Sequence, residues 1–270
     1  GASSGIQRIK MTKSGQHFLK SESIARKIVE TAALAPNDVV LEIGPGKGIL
    51  TVELLKRAKK VIAVEKDAKL AIFLKNKFGS STSKLEIIQG DILKIDPKTY
   101  NLKDKTYKIV ANLPYYITSR FLRRFLESDC QPAAMTLMIQ KEVAQRITLN
   151  VGARPPKTNL LAISVQVFGQ PKIAFKVSKN YFSPAPKVDS AVIAITNISR
   201  DFFTKNNIEE KKFFALVKAG FTHKRKLLIN NLETQSPSKE KWQETFKKCG
   251  IPEKSRAENL SLQDWACLLK

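Results

Sequence analysis

The sequence predicts a doubly wound α/β domain followed by a smaller, all-helical domain. Short apolar runs that end in a polar residue alternate with stretches of helical periodicity up to about residue 198, a pattern typical of a mostly parallel sheet covered by helices. From about Ser199 the pattern changes to helical periods rich in Lys, Glu and Gln. We therefore expect an α/β domain at residues 1–198, opened by a basic arm at residues 1–20, and a helical domain at residues 199–270.

The first regular element is predicted to be a helix. Ser21 or Ser23 can cap it, and apolar residues then repeat at helical spacing to about Leu34. Pro36 and Asn37 end it.

The stretch that follows organises the α/β domain, and it reads VVLEIGPGKGILT over residues 39–51. An apolar run, three glycines and a helical period predict strand, tight turn and helix. Such a turn lets backbone N–H groups approach a ligand closely, and the helix presents its positive end to it. We therefore expect a nucleotide-like ligand at Gly44 and Gly46. The glycine spacing does not match the dinucleotide fingerprint, and a turn whose glycines serve packing alone is the alternative.

The next two predicted strands also end in carboxylates, with a helix over residues 68–78 between them. Glu65 lies 21 residues beyond Gly44, near the spacing at which an acid binds ribose hydroxyls. Asp91, followed by Ile92, can accept a hydrogen bond from an adenine amino group. A surface charge at Glu65 and a turn-forming role for Asp91 are the alternatives. Because open α/β sheets bind ligands at this edge, we expect the glycine turn, Glu65 and Asp91, which follow three successive strands, to form one cofactor site.

The fourth predicted strand, residues 107–111, runs into Asn112, Leu113, Pro114 and Tyr115. The Asn oxygen and the Pro carbonyl can accept the two hydrogens of an exocyclic amine, while Tyr115 stacks on the ring that carries it. The alternative is a turn before the helix predicted over residues 117–126. We interpret the four residues as the catalytic segment.

Three more strands complete the predicted sheet. They lie at residues 135–140, 175–177 and 188–195, and a helix follows the first of them at residues 141–149. Periodicity leaves residues 160–168 open between helix and strand.

The charge of the chain indicates a polyanionic partner. Lys and Arg total 47 against 24 acidic residues, which makes the formal net charge +23. Nucleic acid explains this better than an anionic membrane surface. We expect RNA contacts at two basic clusters, one in the arm and one in the helical domain, although either can be a solvated surface: Arg8, Lys10, Lys13, Lys224, Arg225 and Lys226.

Several classes of protein are disfavoured. No stretch approaches the roughly 18 consecutive apolar residues that a membrane span needs, and no leader segment is recognisable, so we expect a cytoplasmic monomer, with an organelle matrix as the alternative. Three widely spaced cysteines, Cys130, Cys249 and Cys267, argue against a disulfide framework. With only two histidines and no ligand-like spacing, we expect no metal.

Seven segments of the chain, taken together, resemble the adenine N6-dimethyltransferases of small-subunit ribosomal RNA, the family linked to kasugamycin sensitivity. The segments, in the family's order, are GQHFL, LEIGPGKGILT, GDIL, NLPYYI, IQKEVAQRI, FSPAPKVDSAVI and SRAENLSL. The resemblance implies a class I (Rossmann-like) methyltransferase sheet, a helix at residues 160–168, and S-adenosylmethionine as cofactor. It also implies cofactor contacts from Gln16, His17, Leu19, Gly44, Gly46, Glu65, Asp91, Ile92 and Asn112, and a place for Phe182 beside the target base opposite Tyr115, where a core aromatic is the alternative. His17 departs from the Asn of many bacterial members, and the loop at residues 152–159 lacks their Tyr-Gly.

The resemblance further implies methyl transfer to adenine N6 by direct displacement, dimethylating two adjacent adenines near the 3′ end of the small-subunit RNA during ribosome assembly. The expected partner is ribosomal RNA or a precursor of the small subunit. Two alternatives stay open at this point: the related large-subunit methyltransferase of the macrolide-resistance type, and a non-catalytic RNA-binding assembly or transcription factor with the same fold.

Overall fold

The computed structural model describes residues 17–79, 83–149, 158–233 and 238–270. Nine strands form a two-stranded and a seven-stranded sheet within these residues. The strands are β1 (Phe18–Leu19), β2 (Val39–Ile43), β3 (Lys60–Glu65), β4 (Leu85–Gln89), β5 (Tyr107–Asn112), β6 (Ala134–Gln140), β7 (Gln170–Val177), β8 (Phe182–Ser183) and β9 (Ser190–Thr196).

Helices cover the large sheet and form the carboxyl-terminal part of the chain. They are α1 (Glu22–Thr31), α2 (Ile49–Leu55), α3 (Ala68–Phe78), α4 (Thr118–Leu126), α5 (Lys141–Ile147), α6 (Leu160–Gln166), α7 (Asp201–Asn206), α8 (Glu210–Gly220), α9 (Leu228–Leu232), α10 (Lys239–Lys248) and α11 (Leu262–Cys267). Ser21 caps α1 by accepting the Ile24 N–H, as one of the two predicted caps. The helix predicted at residues 160–168 is confirmed as α6.

The large sheet has the order β4-β3-β2-β5-β6-β9-β7. Its first five strands are parallel, whereas β9 and β7 pair antiparallel. β2 lies between β3 and β5, so the strand order reverses direction there. Ligands of open α/β sheets bind outside the carboxyl ends of the strands at such a reversal. The fold therefore places a site where β2 and β5 end.

Both faces of the sheet are buried, which explains the nearly continuous apolar runs of its parallel strands. Successive residues point to opposite faces: Val40 packs with the residues of α1 and α2, whereas Leu41 packs in the larger cluster on the other face. The same alternation separates Val61 from Ile62. Both faces of the sheet are therefore covered by helices.

The carboxyl-terminal helices share a continuous core with one face of the sheet. Phe168, which follows α6, lies 5.5 Å from Phe203 and 5.9 Å from Phe214 between ring centroids. The last helix begins as predicted, with Ser261 and Asp264 capping each other. The domain boundary near residue 199 stays a prediction.

The expectation for the cysteines was wrong in one respect. Cys249 directly follows α10 and Cys267 ends α11, and packing of the two helices brings their Cα atoms to 5.8 Å, where the two residues form a disulfide. Their separation of 18 residues gave no sign of this, because the pairing depends on how two helices pack. Cys130 is free and buried.

Candidate active site

The glycine turn after β2 is shaped to admit a ligand. Gly44 and Gly46 have φ values of +65° and +57°, a region that favours glycine. A Cβ on Gly44 would meet no heavy atom nearer than the Asn112 carbonyl oxygen at 3.8 Å, so its outer side is open. A Cβ on Gly46 would lie 3.0 Å from the Phe18 ring. The turn thus leaves open backbone at Gly44, beside the end of β5.

Glu65 lies at the end of β3 and is nearly fully buried. Its Oε2 accepts the Gly46 N–H at 3.1 Å and its Oε1 accepts the Asp67 N–H at 2.9 Å. Burial raises the pKa of the Glu65 carboxyl, and the two N–H donors lower it in part. Each carboxylate oxygen keeps a second lone pair for a further donor. Glu65 is therefore both a support of the glycine turn and a ready acceptor for hydroxyl groups.

Asp91 follows β4 and lies at the same edge. Its Oδ1 accepts the Leu93 N–H at 3.0 Å, and its Oδ2 lies 3.0 Å from the Lys66 Nζ. The hydrogen bond from Lys66 lowers the pKa of the Asp91 carboxyl, so the carboxylate is the stable form. Sequence reasoning did not include Lys66, although a lysine directly after the predicted ribose acid was visible.

Asn112 ends β5, beside the glycine turn, and the next three residues leave the sheet. Within the described residues the Asn112 side-chain amide has no hydrogen-bond partner, so its oxygen and nitrogen can serve a ligand. Leu113 is buried and its N–H donates to the Met138 carbonyl. Pro114 is exposed, and its carbonyl accepts the Ile117 N–H at 3.2 Å. One lone pair of that carbonyl is left for an incoming donor.

Tyr115 is half-buried, and its hydroxyl contacts a residue of another strand. Its hydroxyl lies 2.9 Å from the Ser190 Oγ, at the start of β9. Its ring centroid lies 6.5 Å from that of His17, at an interplanar angle of 30°. Burial raises the pKa of Tyr115, and the charge of Asp189 adds to this effect. Ser190 was missed in the sequence, because nothing in the motif around it links it to a residue 75 positions earlier.

His17 directly precedes the short strand β1 and lies beside Tyr115. Its Nδ1 lies 2.8 Å from the Pro184 carbonyl oxygen. β1 pairs with β8 just beside it, with Leu19 opposite Phe182. Leu19 and Phe182 are both buried in the core cluster on this face. The place of Phe182 beside the target base stays a prediction.

The Ile92 side chain is buried among the apolar residues of the larger cluster. This cluster lies on the sheet face opposite to the one that buries Phe182. Ile92 packs there, while Asp91 directly before it reaches the sheet edge.

Glu42 is the other buried acid at this end of the sheet. It lies on β2, has no exposed surface, and has no hydrogen-bond partner at either carboxyl oxygen among the described residues. Burial raises its pKa to about 8. The neighbouring Thr51 hydroxyl lowers this value and the Glu65 carboxylate raises it, but desolvation is the larger effect. Burial therefore favours the protonated form of Glu42 at neutral pH.

The predicted RNA-binding residues fall into two groups. Lys224, Arg225 and Lys226 form an exposed turn between α8 and α9, which we call the basic turn. The structure places them in a loop, and their role as phosphate ligands stays a prediction. Arg8, Lys10 and Lys13 lie outside the described residues, as does Gln16.

The described residues contain no group of three or more His, Cys, Asp or Glu side chains that could hold a metal ion. Nor does the described part of the chain include a helix long and apolar enough to cross a membrane.

The sheet order, the glycine turn and the acids at successive strand ends define a class I methyltransferase fold. Comparison with known proteins agrees with this class. The profile of the ribosomal RNA adenine dimethylase family matches residues 8–270. The small-subunit ribosomal RNA methyltransferase A of Dehalococcoides mccartyi is 42% identical over 255 residues, covering 94% of this chain and 85% of the relative. The chain therefore belongs to the ribosomal RNA adenine dimethylase family.

Two solved structures show the same architecture. A dimethyladenosine transferase from Plasmodium falciparum is 28% identical with a TM-score of 0.78, covering 94% of this chain and 96% of that one. The 23S rRNA methyltransferase ErmE is 26% identical with a TM-score of 0.72, covering 93% of this chain and 98% of that one. The likeness extends over the carboxyl-terminal helices as well as the sheet.

Proposed function

We propose that the protein transfers methyl groups from S-adenosylmethionine to N6 of two adjacent adenines near the 3′ end of small-subunit ribosomal RNA. Membership of the adenine dimethylase family supports ribosomal RNA as the substrate class and adenine dimethylation as the reaction. The observation that carries the assignment to residues is the Asn112 amide at the end of β5, which has no hydrogen-bond partner among the described residues and lies beside the open backbone of Gly44. An amide without a protein partner is expected where a ligand completes its hydrogen bonds.

The residues at the strand ends fit the parts of S-adenosylmethionine. The free lone pairs of Glu65 suit the ribose hydroxyls, and the carboxylate of Asp91 suits the adenine amino group. The open side of Gly44 lets the cofactor approach the backbone closely. Leu19 and His17 form the wall on the side of β1, and Gly46 holds the turn in place through Glu65. When bound, this cofactor supplies an electrophilic methyl group.

The chain's own residues prepare the nucleophile. The lone pair of an adenine amino nitrogen is delocalised into the ring, so the planar amine is a poor nucleophile. Hydrogen bonds from its two N–H groups to the Asn112 oxygen and the Pro114 carbonyl favour a tetrahedral nitrogen, whose lone pair can attack the methyl carbon. The new nitrogen–carbon bond would form as the methyl–sulfur bond of the cofactor breaks, and the methylated nitrogen would then release its extra proton to solvent. Tyr115 stacks on the base and fixes its angle. Positioning and preorganised acceptors then supply the catalysis.

The second transfer needs the same site to accept a monomethylated amine. Such an amine has one N–H left, so one of the two acceptors is then sufficient. Pro114 is exposed and borders solvent, which leaves room on that side for the first methyl group. The base must be unpaired or flipped out of a helix to reach Asn112.

The remaining predicted contacts are with the phosphates of the RNA. With a net charge of +23, the chain attracts phosphates over its whole surface, and the basic turn together with Arg8, Lys10 and Lys13 is proposed to bind the ribosomal RNA backbone. The substrate is a precursor of the small subunit during assembly, and the protein acts as a monomer.

The direct test is to map dimethyladenosine. Small subunits from cells that lack the gene are incubated with the protein and labelled S-adenosylmethionine, and the RNA is digested and analysed by mass spectrometry. We expect two dimethylated adenines next to each other near the 3′ end. Methylation of large-subunit RNA instead would favour the macrolide-resistance alternative, and cofactor binding without transfer would favour a non-catalytic assembly or transcription factor.

A further inference from the structure

A polar pocket of about 410 Å³ lies at the same sheet edge as Tyr115, and nothing in the proposed function uses it. Its lining comes from the first turn and a half of α5 and from the loops on either side of β8: Lys141, Glu142, Gln145, Lys179, Lys187 and Asp189.

The pocket is joined to the proposed base site through two adjacent residues. Asp189 lines the pocket, and the next residue, Ser190, hydrogen-bonds the Tyr115 hydroxyl at 2.9 Å. The charge of Asp189 also contributes to raising the pKa of Tyr115. A nucleotide bound in this pocket would thus directly adjoin a base stacked on Tyr115.

The backbone around the pocket is held in place. The Asp189 Oδ1 accepts the Lys179 N–H at 3.0 Å, and the Asp189 carbonyl accepts the Lys141 N–H at 3.1 Å. One residue therefore ties together the loop after β7 and the start of α5. Two of the three lysines are fixed in position at their backbones before any ligand binds.

The charges suit a single phosphodiester. Three lysines face two carboxylates, a net charge of +1, and the Asp189 carboxylate is partly satisfied by a backbone N–H. Within the described part of the chain, none of the three ammonium groups makes an ion pair. One phosphodiester carries one negative charge, and lysine binds phosphate as a point charge.

From the geometry we infer that this pocket binds the phosphodiester of the nucleotide that flanks the target adenine, with Lys179 and Lys187 as its principal ligands. The inference rests on the proposed function for the place of the target base. The pocket would set the register of the RNA strand, so that one adenine, and then its neighbour, is presented to Tyr115.

The test combines a protein change with a substrate change. The double variant Lys179→Ala/Lys187→Ala is compared with wild type on a single-stranded RNA that contains the two target adenines, and on the same RNA with one uncharged methylphosphonate linkage on the 5′ or the 3′ side of the first adenine. Binding is measured by fluorescence anisotropy at several salt concentrations, a readout that needs no turnover. Lys59→Ala/Lys75→Ala, on exposed surface away from the carboxyl edge, is the matched control with the same loss of charge.

If the two lysines hold one phosphate, the double variant lowers the slope of log affinity against log salt by about 0.7, the effect of one phosphate on a single strand. One of the two methylphosphonate RNAs should lower the wild-type slope equally and cause no further loss in the variant. Lys179→Arg/Lys187→Arg should restore the wild-type slope, and the control variant should keep it.

Additive losses, or a variant that binds all RNAs like wild type, would overturn the inference, as would an equal loss in the control. Methylation of small subunits by the same wild-type protein separates this result from the proposed function. If wild type leaves both adenines of the small-subunit RNA unmethylated while the losses in binding are non-additive, the phosphate site stands and the proposed function fails.

Discussion

The burial of Glu42 predicts a measurable dependence of protein stability on pH. The change Glu42→Gln keeps the shape and the polar atoms of the side chain but removes its ability to ionise. Because the side chain has no exposed surface and no partner among the described residues, protonated Glu and Gln should fit the site about equally well. The two proteins should therefore have similar stability where the wild-type carboxyl is protonated in both the folded and the unfolded state. At higher pH their stabilities should differ.

The magnitude follows from the pKa difference between the two states. Folding raises the pKa of Glu42 from its usual value of 4.5 to about 8. Between these values the folded protein binds a proton that the unfolded chain has lost, so wild-type stability falls as the pH rises through this window. One pKa unit corresponds to about 1.4 kcal/mol. At pH 7 the wild type should thus be less stable than Glu42→Gln by about 3 kcal/mol.

Urea unfolding of both proteins at pH 5, 6, 7 and 8, without cofactor, measures this difference. We expect an advantage for Glu42→Gln of about 1 kcal/mol at pH 5, which grows to about 4 kcal/mol at pH 8. The matched control is Glu30→Gln, which removes an exposed carboxylate on α1 and should show no such trend. A difference between Glu42→Gln and wild type that stays constant over the whole range would refute the proposed protonation of Glu42.

Four further outcomes are expected. Glu65→Ala should weaken S-adenosylmethionine by about 1.5 to 3 kcal/mol in calorimetry, and it should also lower the melting temperature without cofactor, because two backbone N–H groups lose their acceptor; unchanged cofactor affinity would remove it from the site. Asn112→Ala should slow single-turnover methylation roughly 10²-fold or more in a folded, cofactor-saturated protein, and a wild-type rate would disprove the amine-holding mechanism. Tyr115→Phe keeps the ring but loses the bond to Ser190, a change of about 1 kcal/mol, so it should retain most activity, whereas Tyr115→Ala also loses stacking of about 1 to 3 kcal/mol and should be nearly inactive. Replacing the three residues of the basic turn with Ala should flatten the salt dependence of RNA binding by about two while cofactor binding survives, and an unchanged slope would make the turn a solvated loop.

The sequence by itself determined the features that depend on neighbours along the chain. The glycine turn followed from a strand, three glycines and a helix in direct succession, and Glu65 from its distance to Gly44. The segment Asn112–Tyr115 was recognised because all its residues are contiguous. Local periodicity and turn chemistry act over a few residues, so such features are readable without knowledge of the fold.

Tertiary structure alone decided which distant residues meet. It joined Tyr115 to Ser190, Lys66 to Asp91, and Cys249 to Cys267. It also buried Glu42 with no hydrogen-bond partner in the part of the chain that the structure describes, whereas the sequence showed only an acid at the end of an apolar run. The pocket beside Tyr115 arises because β9 runs antiparallel to β6, which places the loop before Ser190 next to the start of α5. These contacts depend on the order and direction of the strands, and no local pattern in the sequence encodes the distance between residues that lie far apart along the chain.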